Sequence, residues 1–152
     1  FNGAKAAMSL YGGFFKDVAN EIGLEKALAL HAKQGEGFAM GLLAAAKEKL
    51  NGRELDLGTL SAAGREMAAK SFGMAGGADV TQGLLRTKWA RCSMYEGLAA
   101  AGVDHETIGR MCGALAEVEC AALSRERPNL SVRLDFRAAA DDPCVEEFIL
   151  AN

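Results

Sequence analysis

The stretch Leu130-Ser131-Val132-Arg133-Leu134-Asp135-Phe136-Arg137 decides the fold class of this chain. Its apolar side chains alternate with polar ones, and this alternation is typical of a strand with one buried face. The turn sequence Asp141-Asp142-Pro143 follows, and it predicts a second strand from Cys144 to Leu150. Two strands so close together in the chain indicate a small antiparallel sheet.

The first half of the chain is predicted to be helical. Apolar residues recur at steps of three and four over residues 4–22 and again over residues 24–45, with Gly23 between the two stripes. A third helix is predicted over residues 57–72, and three glycines are expected to end it: Gly73, Gly76 and Gly77. Glycines inside the first two helices weaken each helix by roughly 1 kcal/mol relative to alanine, so we expect helix backbones to pack closely there. These glycines are Gly12, Gly13, Gly35, Gly37 and Gly41.

One more strand and two more helices are predicted before the last two strands. Residues 79–91 contain β-branched and aromatic side chains, which favour a strand. Ser93 and Glu96 form an S-x-x-E capping box, which predicts a short helix that starts just after Cys92. Asp104 can cap the following, longer helix.

This order of elements indicates an α+β fold, in which N-terminal helices accompany a small antiparallel sheet packed against helices. No internal repeat or low-complexity linker interrupts the chain, which is therefore predicted to form a single domain over residues 1–152. Its helical half is expected over about residues 1–76, and its mixed α/β half over about residues 77–152.

Composition argues against several classes of function. Of the 152 residues, 50% are hydrophobic and 24% are charged, as in an ordinary soluble protein. The net charge of -3 gives no electrostatic footprint for nucleic acid. No apolar run approaches the roughly 18 residues of a membrane-spanning helix. Four cysteines do not make a disulfide scaffold of the secreted kind, so we expect a cytoplasmic protein with reduced thiols.

Cys92 is the first candidate for a functional residue. It lies where a predicted strand leads into a predicted helix, next to Arg91. The arginine and the positive end of the helix dipole both stabilise a thiolate, the form of cysteine that acts as nucleophile or metal ligand. A buried cysteine that only fills the end of the strand is the equally weighted alternative.

Cys112 and Cys120 lie on different faces of one predicted helix. At 100° per residue, Cys112 and Glu119 fall on the same flank of the apolar stripe, whereas Cys120 points almost opposite. Cys120 also lies about 12 Å along the helix axis from Cys112, too far for both to ligate one zinc ion. Glu119 is therefore a candidate general base or ligand beside Cys112, with a solvent-exposed role as the alternative.

A zinc site built from all four cysteines is thus not expected, but a zinc site with three cysteine ligands remains an alternative. Cys92, Cys112 and Cys144 could hold an ion if a glutamate, a histidine or water completed the set. No CxxC or HExxH spacing supports this site. Cys144 opens the last strand on the same face as Glu146, and it is at least as well explained as a core residue.

Two further residues are candidates for ligand binding. His31 interrupts an apolar helical stripe, which places its imidazole against the core, where a hydrogen-bonded interior histidine is the common role. Trp89 is three residues from Cys92, so strand alternation predicts that the two side chains lie on opposite faces. Packing is the alternative role for Trp89.

Several motifs of the C-terminal half, over about residues 85–150, resemble one known family. They are Trp89-Ala90-Arg91-Cys92-Ser93-Met94-Tyr95-Glu96-Gly97-Leu98, Ala101-Gly102, Cys112, Asn129 to Phe136, and Asp141-Asp142-Pro143-Cys144. The family is that of L-2-amino-thiazoline-4-carboxylic acid hydrolase. The resemblance implies hydrolytic opening of a cyclic amidine-like ring to a carbamoyl-cysteine product. A more distant likeness is to sensor domains of the 4-vinyl reductase type, in which clustered cysteines and a glutamate hold zinc.

The family's cysteines map onto Cys92, Cys112 and Cys144. Two positions depart from its pattern: Ser93 stands where the family usually has proline, and Leu115 stands where an acidic residue commonly follows the middle cysteine. The second departure leaves Glu119 as the residue that would take the acid/base role.

Three functions therefore stay open. The first is a hydrolase acting on a small C–N bonded ring or amide, with Cys92 as nucleophile or metal ligand and Glu119 moving protons. The second is a non-catalytic domain that binds a small molecule or is stabilised by zinc. The third is assembly through the glycine-rich helices, for instance as a homo-oligomer, with the cysteines in the core.

Overall fold

The computed structural model describes residues 1–151, which form helices and one four-stranded antiparallel sheet. The elements in chain order are α1 (Asn2–Ile22), α2 (Leu24–Leu50), α3 (Leu57–Phe72), β1 (Ala75–Thr81), β2 (Leu84–Arg91), α4 (Ser93–Ala100), α5 (His105–Glu126), β3 (Leu130–Asp135) and β4 (Cys144–Leu150). This architecture confirms the predicted α+β class.

The strand order β1-β2-β4-β3 places β2 and β4 at the centre of the sheet. Leu85 on β2 lies opposite Phe148 on β4, which in turn lies opposite Val132 on β3. This row faces the helices because side chains alternate along each strand. On the other face, Glu147 lies between Arg86 and Arg133 and forms ion pairs with both.

Helix ends follow the local signals that the sequence carries. Gly23 has a φ of 88° and separates α1 from α2, and Gly73 has a φ of 58° at the end of α3. Glycine adopts these positive φ angles without the steric cost of a Cβ atom. Asp104 caps α5 by accepting a hydrogen bond from the backbone N–H of Thr107 at 2.9 Å, as predicted.

Two predictions about the first part of the sheet are wrong. Gly76 and Gly77 do not end α3 but belong to β1, an exposed strand whose composition resembles a loop. Residues 79–91 do not form one strand: the chain turns at Gly83, where φ is 82°, and β1 pairs with β2 as a hairpin. Strand pairing overrides the weak β-propensity of glycine here.

The predicted capping box at the start of α4 is also wrong, although the helix begins where expected. The N-cap is Cys92, whose Sγ accepts a hydrogen bond from the Tyr95 N–H at 3.4 Å. Ser93 instead donates its hydroxyl proton to the Phe72 carbonyl at the end of α3. Glu96 forms an ion pair with Lys5 of α1. Both box residues are thus used for tertiary contacts rather than for the helix terminus.

Helices from the two halves of the chain pack against each other, α1 on α4 and α2 on α5. Close approach explains some of the helical glycines. A Cβ atom on Gly12 would lie 2.8 Å from the Cβ of Ala101, and one on Gly35 would collide with the side chain of Leu115. Gly13 and Gly37, in contrast, face open space. Close backbone packing therefore accounts for only part of the predicted set.

No helix within residues 1–151 combines the length and the apolar character that crossing a membrane requires.

Candidate functional site

A cavity lies between the inner face of the sheet and helices α2, α3 and α5. It encloses about 390 Å³ and is partly open to solvent. Most of its wall is apolar, and its bulkiest apolar side chains include Phe38, Leu42, Leu60, Met67, Phe72 and Phe148. A cavity of this volume is within the range of sites that hold small molecules.

The sheet register brings polar side chains to the floor of this cavity. Thr87 on β2 lies directly opposite Glu146 on β4, and Trp89 lies opposite Cys144 in the next inward-facing pair. All four side chains line the cavity. The prediction that Trp89 and Cys92 face opposite sides is wrong, since Cys92 also lines the cavity. Cys92 follows the last residue of β2, so strand alternation does not extend to it.

The carboxyl groups of Glu119 and Glu146 meet at the same floor. Glu119 comes from α5, is 8% exposed, and shares a hydrogen bond with Glu146. Two carboxyl groups can share a hydrogen bond only when at least one of them carries a proton. Glu146 also accepts a hydrogen bond from the indole of Trp89, with Nε1 3.3 Å from Oε2. This indole N–H favours the negative charge on Glu146 and the proton on Glu119.

Burial raises the pKa of both carboxyl groups. For Glu119, desolvation is the largest cause, and the charge of Glu146 adds to it. For Glu146, desolvation raises the pKa while the hydrogen bond from Trp89 opposes the rise. Glu146 keeps part of its surface exposed toward the cavity, whereas Glu119 is buried. The pair therefore holds a proton at higher pH than exposed glutamates do.

Two buried hydroxyl groups line the same cavity. Ser61 on α3 is 6% exposed, and Thr87 on β2 is 3% exposed. Both side chains therefore offer a hydroxyl group to the cavity, where a hydroxyl can donate one hydrogen bond and accept others.

His31 reaches the cavity from α2 and is held in one orientation. Its Nε2 lies 3.2 Å from the Met111 carbonyl oxygen, which can only accept, so Nε2 carries the hydrogen. Its Nδ1 lies 2.7 Å from the hydroxyl of Tyr11, which donates to it. Burial lowers the pKa of His31 more than the carbonyl of Met111 raises it. The imidazole is therefore neutral at pH 7, and both of its nitrogens are engaged.

Three of the four cysteines lie in the cavity wall, namely Cys92, Cys112 and Cys144. All three are buried and none is in a disulfide. Burial raises the pKa of Cys92 and that of Cys112. At neutral pH these two side chains are thus protonated thiols, and the combination of helix dipole and Arg91 that the sequence suggested does not overcome desolvation.

Arg137 is a buried cation that contacts Cys144. Its Nε donates to the Sγ of Cys144 at 3.3 Å, and its guanidinium carbon lies 4.4 Å from the centre of the Tyr95 ring. The side chain is buried, and its Nη2 atom has no hydrogen-bond partner in residues 1–151. The positive charge of Arg137 favours the thiolate form of Cys92 and so lowers its pKa. Burial raises that pKa by more than Arg137 lowers it.

Cys120 lies apart from the other cysteines, as the helical geometry predicts. It is half-buried on another face of α5, where its Sγ accepts a hydrogen bond from the Val132 N–H at 3.4 Å.

The residues present do not fit the zinc site that the sequence left open. Within the described part of the chain, no three or more His, Cys, Asp or Glu side chains are grouped as metal ligands. Cys92, Cys112 and Cys144 share a cavity wall without forming such a group. Their thiols are therefore part of the surface that a molecule in the cavity would contact.

Sequence reasoning did not single out four residues at or next to this site. Glu146 and Thr87 line the cavity with a carboxyl and a hydroxyl group, whereas Arg137 lies over the ring of Tyr95 and contacts Cys144 of the cavity wall. For Glu146 a signal existed, because alternation already placed it on the same strand face as Cys144. For Arg137 no local signal existed, since its contacts depend on the turn between β3 and β4.

Comparisons with known proteins do not identify the chain. No model of a protein family matches it, and no curated protein matches it at a significant level. The resemblance to L-2-amino-thiazoline-4-carboxylic acid hydrolase therefore stays a prediction.

Proposed function

We propose that this chain is a small-molecule-binding domain whose ligand occupies the cavity between the sheet and helices α2, α3 and α5. The observation that carries the proposal is the set of buried polar groups in a mostly apolar wall. Glu119, Ser61 and Thr87 are each more than 90% buried, and all three line the cavity. In a mostly apolar wall, a few polar groups of this kind can orient a ligand by exchanging hydrogen bonds with its polar end.

The composition of the cavity wall also indicates the chemistry of most of the ligand. Aromatic and aliphatic side chains of α2 and α3 form the side that faces the sheet. Small-molecule sites commonly combine such apolar walls with a few convergent polar groups that orient the ligand. The ligand is accordingly expected to have an apolar body and a small polar end.

Binding of a neutral, environment-sensitive naphthalene dye such as Prodan tests this function. We expect saturable fluorescence enhancement by the parent chain and its loss in Ser61→Phe, because the phenyl ring would occupy the cavity. Ala62→Phe is the matched control, since Ala62 is the next residue of α3 and is exposed. Circular dichroism shows whether both variants fold. If Ser61→Phe folds and binds the dye as well as Ala62→Phe does, the cavity is not the binding site.

A second candidate function is hydrolysis of a small ring or amide with a C–N bond. The observation that favours it is the position of Cys92 at the N-terminus of α4, in the wall of a cavity that Glu119, a carboxyl group whose pKa is raised by burial, also lines. In such a reaction the sulfur would attack the electrophilic carbon, and the C–N bond would break as Glu119 donates a proton to the leaving nitrogen. Water would then cleave the new carbon–sulfur bond, release the product and restore the thiol. The thiol must first lose its proton, and Arg137 is the nearby cation that favours this.

Incubation with 2-aminothiazoline-4-carboxylate, followed by detection of the ring-opened product, tests the second candidate. We expect turnover by the parent and none by Cys92→Ser. Cys120→Ser is the matched control, because Cys120 lies outside the cavity. Turnover by Cys92→Ser at the parental rate would exclude Cys92 as the nucleophile, and a parent without turnover excludes this substrate.

A further inference from the structure

We propose that the ligand is a primary amine with an apolar body, and that its ammonium group binds between the carboxyl groups of Glu119 and Glu146. This inference rests on the proposed binding function and specifies the polar end of the ligand. It follows from the charge of the carboxyl pair, from the acceptors around it and from the absence of a buried cation among the described residues that line the cavity.

The carboxyl pair suits a cation as its partner. When the pair holds one proton, it carries a single negative charge. In water such a charge is well solvated, but in a mostly apolar cavity it is costly unless a cation accompanies it. The indole N–H of Trp89 is a neutral donor and compensates the charge only in part.

Besides the pair, the titratable or charged side chains that line the cavity are Tyr11 on α1, His31 on α2, Arg65 on α3, Cys92 at the start of α4, Cys112 on α5 and Cys144 on β4. Cys120, next to Glu119 on α5, also acts on the charge of Glu119. Arg137 is outside the lining, and its Nε donates to the Sγ of Cys144. His31 is neutral because both of its nitrogens are engaged and burial lowers its pKa. Arg65 is exposed and lies at the rim of the cavity, where water solvates its guanidinium. The described residues that line the cavity thus supply no buried cation for the pair.

The number of acceptors at the floor of the cavity matches an ammonium group, which has three N–H donors in a compact arrangement. Glu119 and Glu146 each supply carboxyl oxygens, and the Thr87 hydroxyl lies directly across the strand pair from Glu146. These three side chains come from α5, β4 and β2 and converge on the floor of the cavity. A primary amine can satisfy all of them at once, whereas an alcohol has only one hydrogen to donate.

A matched pair of ligands tests the inference on the full chain. 2-Naphthylmethylamine is a cation at neutral pH, and 2-naphthylmethanol has nearly the same shape without the charge. Isothermal titration calorimetry at low salt gives the dissociation constant of each. We expect the amine to bind about tenfold more tightly or better, because charge-assisted hydrogen bonds contribute more than neutral ones.

Isosteric variants locate the interaction. The double variant Glu119→Gln/Glu146→Gln has no ionisable carboxyl left in the pair, so it should lose the preference for the amine while 2-naphthylmethanol still binds, and retained alcohol binding also shows that the variant folds. Glu117→Gln is the matched control, since Glu117 is an exposed glutamate on the same helix. A preference for the amine that persists in the double variant would overturn the inference.

The pH dependence gives an independent readout. As the pH falls, the pair takes up a second proton and becomes neutral, so the amine should lose its advantage while alcohol binding stays constant. Equal affinity of the two ligands at neutral pH would overturn the inference and leave the binding function intact. Failure of both ligands and of the neutral dye to bind would overturn the binding function itself.

Discussion

Glu119 on α5 and Glu146 on β4 share a hydrogen bond inside a cavity whose wall is mostly apolar. The helix and the strand that carry them are distant in sequence, and the contact forms only when α5 packs across the sheet. A carboxyl pair of this kind is a poor way to stabilise a fold, because both groups lose hydration and they repel each other when ionised. It is therefore the feature of this molecule that most clearly calls for a functional explanation.

The carboxyl pair makes stability depend on pH. The pKa of Glu119 in the folded chain lies well above its usual value of 4.5, so the folded state binds more protons than the unfolded state as the pH rises past that value. The stabilisation that protonated Glu119 contributes is fully present at pH values below the pKa of this group in the unfolded state. It is lost as the pH rises through the pKa of this group in the folded state. We expect the free energy of unfolding to fall by up to about 1.4 kcal/mol per pH unit for each such proton.

Urea unfolding of Glu119→Gln between pH 5 and pH 8 checks this. The amide cannot ionise, so its stability should change less over that interval than the stability of the parent. Glu117→Gln should follow the parent, because Glu117 is exposed. A parent whose stability is flat over this range would contradict the raised pKa.

The thiols should differ sharply in reactivity. Cys120 is half-buried, whereas Cys92, Cys112 and Cys144 are buried. Since burial also raises the pKa of Cys92 and Cys112, their thiolate fractions at neutral pH are low. Brief treatment of the native chain with a maleimide should label Cys120 first. Peptide mass spectrometry identifies the labelled site, with the urea-unfolded chain as the control in which all four react.

Cys92 should contribute to stability through the cap of α4. Its Sγ accepts the Tyr95 N–H, and loss of an N-cap costs about 1 kcal/mol. Cys92→Ala should therefore be more destabilising than Cys112→Ala, which removes a buried thiol that caps no helix. Chemical denaturation of both variants measures the difference. Equal losses of stability would show that the sulfur cap contributes nothing.

Two glycine substitutions should act in opposite directions. A Cβ atom on Gly97 of α4 would lie 2.5 Å from the carbonyl oxygen of Lys5 in α1, a backbone atom that cannot move aside cheaply. Gly97→Ala should destabilise by about 1–3 kcal/mol through overpacking. Gly13→Ala on α1 meets nothing within 4 Å and should stabilise by up to about 1 kcal/mol through helix propensity. Melting temperatures of the two variants test both signs.

Much of the secondary structure could be predicted from sequence because its signals are local. Helix α3 ends at Gly73, which adopts the positive φ that terminates a helix, and such a signal needs no distant contact. The alternation around Val132 identified β3 for the same reason. The β1 strand was missed because its Ala-Gly-Gly-Ala segment has almost no intrinsic β-propensity and forms a strand only by pairing with β2.

The candidate site was predictable only in part. Helical angles correctly placed Cys112 and Glu119 on one flank and Cys120 on another, since helix periodicity is a property of the chain itself. The same reasoning could not show that α4 begins with a sulfur cap, because the choice between Ser93 and Cys92 depends on which of them contacts α3.

The sequence by itself determined the order of most elements, the ends of most helices and the inward faces of β3, β4 and α5, because periodicity and capping act between near neighbours. Only the tertiary structure decided that Glu119 meets Glu146, that His31 bonds to Met111, and that Arg137 contacts Cys144. Each of these contacts depends on how helices, sheet and connecting turns pack to fill the core. The tertiary structure likewise decided the cavity, because its walls come from helices and strands throughout the chain.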